Sequence, residues 1–344
     1  MKFSVIVPVY NVAPYLRECL DSVCAAVQEL ECRVGERTDH PLVEVICVDD
    51  GSTDGSGEIL DEYVSRQSNN QTIPNQTIFR VIHQENRGEG PARNRGLEVA
   101  TGEWLCFVDA DDLVHADWLK RCQCAIDEFP DVDMVRFGQI EFNDGERCLW
   151  PENARRDTNG VLDLRKRISN DAIEGGFWSR IYRRSKVANI RFQPYRVGED
   201  WAWKVEAILC ADSLVDAGGV LYGYRQRATS VIHLARTAEW IRATMDWPVH
   251  VLRAFSDSEK DIDPAPVRRF LADLVSRGEE YCLFGRSNGE DMWPHWCDAM
   301  VAVSRMRKVP WWFRIAAGAV SLTRLRLVGY LVTVPYKIRR LRFA

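Results

Sequence analysis

The chain lacks a Gly-x-Gly-x-x-Gly after its first apolar run, which ends Pro8-Val-Tyr-Asn11 with no glycine at all. That excludes a dinucleotide-binding loop of the dehydrogenase kind. Gly51-Ser-Thr-Asp-Gly55 has no lysine, so it is not a phosphate-cradling loop either. The stretch from Met1 to Tyr10 is a short apolar run interrupted by Pro8, without a small-residue cleavage site, and is not expected to be a signal peptide. No run of about 18 uncharged apolar residues exists, so a spanning helix is not expected. The 11 cysteines have no paired spacing. Cys122 and Cys124 form one Cys-x-Cys, but no second pair or histidine completes a zinc set. Without an export signal the expectation is a cytoplasmic protein with reduced thiols.

Acidic residues are missing from one place. Between Arg305 and Ala344 there are ten Lys or Arg and no Asp or Glu, whereas the whole chain of 344 residues carries 45 bases against 50 acids. The rest of the chain is therefore a body of net charge −15 attached to a basic tail. In that tail Trp311, Trp312, Phe313, Ile315, Leu322, Leu325, Leu327 and Leu331 alternate with arginines. Lys337, Arg339, Arg340 and Arg342 follow. This composition predicts a segment lying in the interface of an anionic membrane rather than across it. The alternative is a tail folded onto the body. No nucleic-acid partner is expected, and the oligomeric state is not indicated.

Hydrophobic content of 46% and charged content of 28% are those of a globular protein. Apolar, β-rich runs at Phe3–Val9, Val43–Val48, Ile78–His83 and Trp104–Val108 alternate with helical patterns at 15–30, 59–64 and 88–100. Strand and helix in strict alternation predict an α/β fold with a mostly parallel, doubly wound sheet. Further along, Asp117–Phe129 predicts a helix. Residues 133–142 alternate like exposed edge strands, and two short strands are predicted near Leu214 and over Val220–Arg225. Gly198-Glu-Asp-Trp-Ala-Trp203 opens a helix, and residues 238–282 read as helical with breaks at Pro248, Pro264 and Pro266. Asn-Gln-Thr-Ile occurs twice, at Asn70 and Asn75, in a polar loop.

The fourth strand carries the chemistry. It runs from Trp104 to Val108 into Asp109, Asp111 and Asp112. The C-terminal end of a buried parallel strand delivers side chains to a crevice. Several carboxylates crowded there raise each other's pKa and call for a counter-charge. A divalent cation of the magnesium or manganese kind supplies it, binding one or two carboxylates and completing its shell with phosphate oxygens. The bland alternative is a solvated acidic turn.

With these residues in order the chain resembles the family-2 glycosyltransferases of the GT-A, Rossmann-like fold, of the bacterial surface-polysaccharide type. The matching stretches are Ser4-Val-Ile-Val-Pro-Val-Tyr-Asn11, Val48-Asp-Asp-Gly-Ser-Thr-Asp54, Asn86-x-Gly88, Ala92-Arg-Asn-Arg-Gly96, Gly102-Glu-Trp104, Asp109-Ala-Asp-Asp112 and Gly198-Glu-Asp200, spread over roughly residues 3 to 230. The resemblance implies a GT-A domain over 1–235, a helical extension over 236–304 and the basic tail over 305–344. It implies an inverting, metal-dependent transfer of a sugar from a nucleotide diphosphate, a UDP-sugar by expectation, to a saccharide or lipid-linked saccharide on the cytoplasmic face of a membrane. Pro8, Tyr10 and Asp50 would hold the base and ribose. Arg93 would help place the donor or its diphosphate, Asp109 would contact ribose or metal, and Asp111 would bind Mn2+ or Mg2+. Asp200 would be the general base with Glu199 as the fallback, and Trp201 and Trp203 would line the acceptor site. In Tyr222-Gly-Tyr-Arg-Gln-Arg227, Arg225 or Arg227 would meet the phosphates or an exposed carboxylate. Trp178-Ser-Arg-Ile-Tyr182 departs from the family pattern, with Arg180 where a lysine is usual. The rival readings are a non-catalytic sugar-nucleotide or membrane scaffold protein and a sugar nucleotidyltransferase. The latter should carry a glycine-rich first loop, which Pro8-Val-Tyr-Asn11 is not.

Overall fold

A computed structural model describes residues 2–34, 41–68, 77–151, 160–195, 197–227, 237–277 and 292–323. In chain order the elements begin with β1 (Phe3–Val9), α1 (Ala13–Val34), β2 (Val43–Asp49), α2 (Ser56–Ser68), β3 (Thr77–His83), α3 (Glu89–Val99) and β4 (Trp104–Phe107). They continue with β5 (Leu113–Val114), α4 (Trp118–Glu128), β6 (Met134–Asn143), β7 (Leu162–Asp163), β8 (Arg167–Ile168) and α5 (Asn170–Ile173). After these come β9 (Arg180–Arg183), α6 (Arg184–Val187), α7 (Glu199–Cys210) and β10 (Ser213–Gln226). The last described elements are α8 (Ala238–Asp257), β11 (Asp261–Ile262), α9 (Pro264–Arg277), α10 (Trp293–Ser304) and α11 (Trp311–Thr323). The chain divides into two compact units. One comprises Met1–Leu164, Glu174–Pro194 and Cys210–Leu234, the other Arg165–Ile173, Tyr195–Leu209 and Ala235–Ala344.

The first unit is built on a nine-stranded sheet of order β3-β2-β1-β4-β9-β6-β10-β5, with β7 paired to β10. The β3-β2-β1-β4 half is wholly parallel. Every residue of β1 and β2 is buried, which is why these strands read as continuous apolar runs rather than alternating ones. β9 runs antiparallel between β4 and β6, and β6 and β10 are again parallel. Two glycines set close approaches that a side chain would block. At Gly96 of α3 a Cβ would stand 2.5 Å from a methyl of Ile6, so the helix lies directly on β1. At Gly102 it would stand 2.6 Å from the Ser4 amide nitrogen. Here the Gly102 N–H donates to Ser4 Oγ at 2.8 Å and to the buried Glu44 at 3.1 Å, pinning the start of β4 to β1. Burial pushes the Glu44 carboxyl up, but hydrogen bonds from Ser4 and Thr101 outweigh it and leave it below its ordinary range.

Three local expectations change. Residues 134–143 form β6, an interior strand between β9 and β10 rather than an edge. Its alternation reflects burial that is strong at Met134 and Val135 and mixed beyond them. The region read as two short strands is the single β10, whose register against β6 shifts between Asp216 and Tyr222. Gly218 and Gly219 take φ of 71° and 80° there, the glycine-tolerated region that lets a strand kink and resume. The helix expected to break at Pro248 runs through it, with Pro248 buried in α8. Pro264 instead opens α9, a position whose missing N–H costs the helix little.

The second unit is mainly helical. α8 packs on α9 and α10, and α10 on α11. Its core includes Ile241, Phe255, Phe270, Leu274 and Trp296, and the Trp296 indole N–H donates to the Leu274 carbonyl at 3.0 Å. β8 and β11 form a two-stranded parallel ladder beside them. The ten described cysteines are free thiols. Among the described residues no helix is long and apolar enough to cross a membrane. Residues 70–76 of the Asn-Gln-Thr-Ile repeat, and the tail beyond Thr323, lie outside the described residues, while Thr77 and Ile78 of its second copy open β3.

Candidate functional site

The ends of β1 and β2 are stitched together before they reach the site. Asn11 sits at φ 51°, a left-handed conformation that asparagine tolerates better than most residues. Its amide N–H donates to Ser52 Oγ at 3.1 Å, and its side-chain oxygen accepts from the Thr53 N–H at 2.8 Å. Asp54 accepts from the Ala13 N–H, the first residue of α1, and from the Ser56 N–H, the first of α2. One carboxylate thus satisfies open amides at two helix starts. Pro8 is buried in β1, past Ile6, the last residue paired with β4. Tyr10, just beyond the strand, is 50% exposed. Asp50 is buried and turned to its own loop. One oxygen accepts from Gln84 Nε2 at 2.7 Å and the Arg87 N–H at 2.9 Å, the other from the Gly88 N–H at 2.7 Å. Asp49 beside it is held below its ordinary range: burial pushes it up, but hydrogen bonds from Ser52 and His83 outweigh that.

After β4 the chain makes a tight turn, with the Asp112 N–H donating to the Asp109 carbonyl at 3.0 Å. Tyr222 of β10 locks this turn. Its hydroxyl accepts from the Asp109 N–H at 3.1 Å and donates to Asp112 at 2.7 Å. The other Asp112 oxygen accepts from the Arg225 N–H at 2.7 Å. Trp178 stacks on the Tyr222 ring, with centroids 4.1 Å apart and planes 17° from parallel. Asp112 is wholly buried, and burial, with Asp111 and Asp109 adding, pushes its carboxyl well above the ordinary value. It therefore ties β10 to the turn, while Asp109 and Asp111 remain partly open.

Each of these two faces an arginine. Arg93 of α3 is 2% exposed and donates to Asp109 at 2.9 Å and to Glu89 at 2.5 Å. Its guanidinium lies 4.6 Å from the Phe177 ring centroid and 5.3 Å from that of Phe192, so the charge is held by aromatic faces as well as by carboxylates. Burial pushes the Asp111 carboxyl up and Arg227 pulls it back, with Asp109 adding to the rise. Arg227 Nε stands 2.5 Å from Asp111. Arg225 is buried, donating from Nε to the Asp111 carbonyl at 2.8 Å and pairing with Glu18 at 2.5 Å. Arg180 is also buried and donates to the carbonyls of Glu174, Gly175 and Gly176. The planar fork spreads its donors over three carbonyls of one loop, a geometry that suits a guanidinium.

Asp109 and Asp111 fit a divalent cation. Both supply hard oxygen donors, and Asp109 uses one oxygen on Arg93 and has no hydrogen bond on the other among the described residues. Among those residues no three carboxylate, histidine or cysteine side chains are gathered as a complete metal cage. The donor set is that of a site in which phosphate oxygens complete the shell.

Glu199, Asp200, Trp201 and Trp203 belong to the second unit. Gly198, at φ 81°, starts α7, and a Cβ there would stand 2.3 Å from the Trp247 ring. Glu199 and Asp200 occupy the first turn, where the helix dipole favours negative charge. Glu199 is buried and Asp200 half-buried. Trp203 is 1% exposed and offers no face for stacking. Trp201 is half-buried, with Lys204 Nζ 3.3 Å and the Arg269 guanidinium 4.7 Å from its ring centroid.

This arrangement is that of a GT-A fold, with acidic residues at the end of the fourth strand. The profile of Glycosyl transferase family 2 matches residues 4–190, and the chain belongs to that family. It is 28% identical over 254 residues to glycosyltransferase GlyA of Streptococcus pneumoniae, covering 71% of this chain and 33% of that one. It is 27% identical over 315 residues to the poly(ribitol-phosphate) beta-N-acetylglucosaminyltransferase TarS of Staphylococcus aureus, covering 87% of this chain and 48% of that one. The fold matches the crystal structure of TarS residues 1–349 in complex with UDP-GlcNAc. The TM-score is 0.65 at 24% identity, over 96% of this chain and 91% of that one. The chain spans from 33% to 63% of the length of the first three curated relatives it matches.

Tyr222 and Trp178 escaped the sequence reading as site-forming residues, although Tyr222-Gly-Tyr224 has the two-residue spacing that puts both rings on one face of a strand. Tyr222→Phe removes the hydroxyl that joins Asp109 to Asp112 and leaves a buried carboxylate one hydrogen bond short. It should lower unfolding free energy by about 1–3 kcal/mol in urea denaturation. An unchanged midpoint would show that the turn does not depend on this bridge.

Proposed function

We propose that the chain is an inverting, metal-dependent glycosyltransferase. It moves a sugar from a UDP-sugar to a hydroxyl of a saccharide or lipid-linked acceptor in bacterial surface-polysaccharide synthesis. The observation that carries the reading is the pair Asp109 and Asp111 at the C-terminal end of β4, each set against an arginine, in a chain of glycosyl transferase family 2. TarS, a poly(ribitol-phosphate) beta-N-acetylglucosaminyltransferase with a structure in complex with UDP-GlcNAc, supports a UDP-sugar and a polymeric acceptor. Tyr10, exposed at the end of β1, stacks on the base; Pro8 fixes the strand end beneath it, and Asp50 shapes the loop from Gln84 to Gly88. Arg93 orients Asp109 toward the ribose. Asp109 and Asp111 would hold Mn2+ or Mg2+, and such a cation would supply positive charge against the leaving diphosphate. Asp200 takes the proton of the acceptor hydroxyl as that oxygen bonds to the anomeric carbon. The bond from that carbon to the diphosphate oxygen breaks on the opposite face, and its electron pair leaves with UDP. Glu199 is the fallback base, and Trp201 borders the acceptor. The scaffold reading is disfavoured by the retention of Asp109, Asp111 and Asp200 together. Asp200→Asn should cut UDP release from a UDP-sugar by roughly 10²–10⁴-fold while leaving UDP affinity nearly unchanged. Undiminished turnover, or a loss reproduced only by Glu199→Gln, would reassign the base.

The basic tail suits the cytoplasmic surface of an anionic membrane. Trp311 and Ile315, one turn apart on α11, are 72% and 65% exposed. They present apolar surface at the start of a segment with ten bases and no acids. Each base near an anionic leaflet contributes about 1 kcal/mol. The full chain should float with anionic vesicles at low salt and be released as salt rises. Equal flotation with neutral vesicles would refute an electrostatic anchor.

A further inference from the structure

The two arginines at the end of β10 are held in different ways. Arg225 is pinned through its backbone N–H to Asp112, through Nε to the Asp111 carbonyl at 2.8 Å and through its terminal nitrogen to Glu18 at 2.5 Å. Its guanidinium also lies 4.7 Å from the Phe142 ring centroid, while both arginines lie over the Tyr15 ring, Arg225 at 5.1 Å and Arg227 at 5.3 Å. Arg227 touches Asp111 at 2.5 Å through Nε, yet that nitrogen makes no aligned hydrogen bond. The contact rests on charge without the directionality that makes guanidinium–carboxylate pairs strong. Both side chains keep some solvent access, 19% for Arg227 and 17% for Asp111.

Asp111 is 17% exposed and shares its turn with Asp109, and crowded, poorly solvated carboxylates call for positive charge. A cation and Arg227 would satisfy the same need at the same carboxylate, and two positive charges on it would repel each other. A diphosphate changes the balance, since it offers Arg227 a new anionic partner and the cation further oxygens.

We propose that Arg227 is a resident counter-ion of Asp111 that competes with the divalent cation, and that it is transferred to the diphosphate when nucleotide and metal bind together. The inference rests on the metal reading of Asp109 and Asp111. Its consequence is that the cation binds poorly alone and well with nucleotide, so the pair loads as a unit.

The test is Mn2+ binding to the full chain, measured by electron paramagnetic resonance, with and without UDP, together with calorimetry of UDP in saturating Mn2+. Arg227→Ala should bind Mn2+ alone several-fold more tightly than the wild type, as expected for loss of a competing ion pair, and UDP about tenfold or more weakly. The opposite signs separate exchange from a merely structural role, which would weaken both. Arg227→Gln, neutral and of similar length, carries the same expectation if the alanine variant fails to fold. If wild type binds Mn2+ with UDP but the variants gain no affinity for Mn2+ alone, Arg227 is not a competitor. If no protein binds Mn2+ under any condition, the metal reading falls, and this inference with it.

Discussion

Carboxylates brought close together and stripped of water raise one another's pKa, and a fold that gathers them must supply positive charge or give up their ionisation. β4 ends in three such groups within four residues. The surrounding elements supply arginines from different parts of the chain: Arg93 from α3, Arg225 from the end of β10 and Arg227 just beyond it. The parallel half of the sheet fixes where the acids emerge. The fit of Gly96 against Ile6 and the bonds at Gly102 fix the elements that carry and face them.

Within the acidic turn the labour is divided. Asp112 is fully buried and bound by Tyr222 and Arg225, so it acts as a clasp between β10 and the turn. Asp109 shares a buried guanidinium held by Phe177 and Phe192. Asp111 meets Arg227 through an Nε that makes no aligned hydrogen bond. A cation at Asp109 and Asp111 would leave the Asp112 clasp intact. The same economy appears at Asp50, whose carboxylate shapes the loop that follows β3.

Much of this was legible in the sequence because the chain obeys simple periodicities in its first hundred residues. β1 to β4 are short, continuous apolar runs, as strands covered on both faces must be, and the helices between them carry ordinary turn-and-cap punctuation. β6 misled because alternation signals a half-exposed face, not a sheet edge, and β10 because the two glycines at its bulge look like an end. Asp109, Asp111 and Arg93 stood out as a motif. Arg180 did so only as a departure, and its purpose emerged from three loop carbonyls. The pairing of Arg227 with Asp111 joins residues 116 positions apart, and only the tertiary fold could reveal it. Trp203 could be read as an acceptor-lining or a packed ring, because sequence spacing does not tell a buried ring from an open one, and it is buried.

The central claim is that two strand-end carboxylates bind a nucleoside diphosphate through a divalent cation. Calorimetry of UDP binding to the full chain, first in Mn2+ and then after chelation, tests it most directly. The account predicts binding in Mn2+ that weakens sharply once the cation is removed. Equal affinity in both conditions would contradict it.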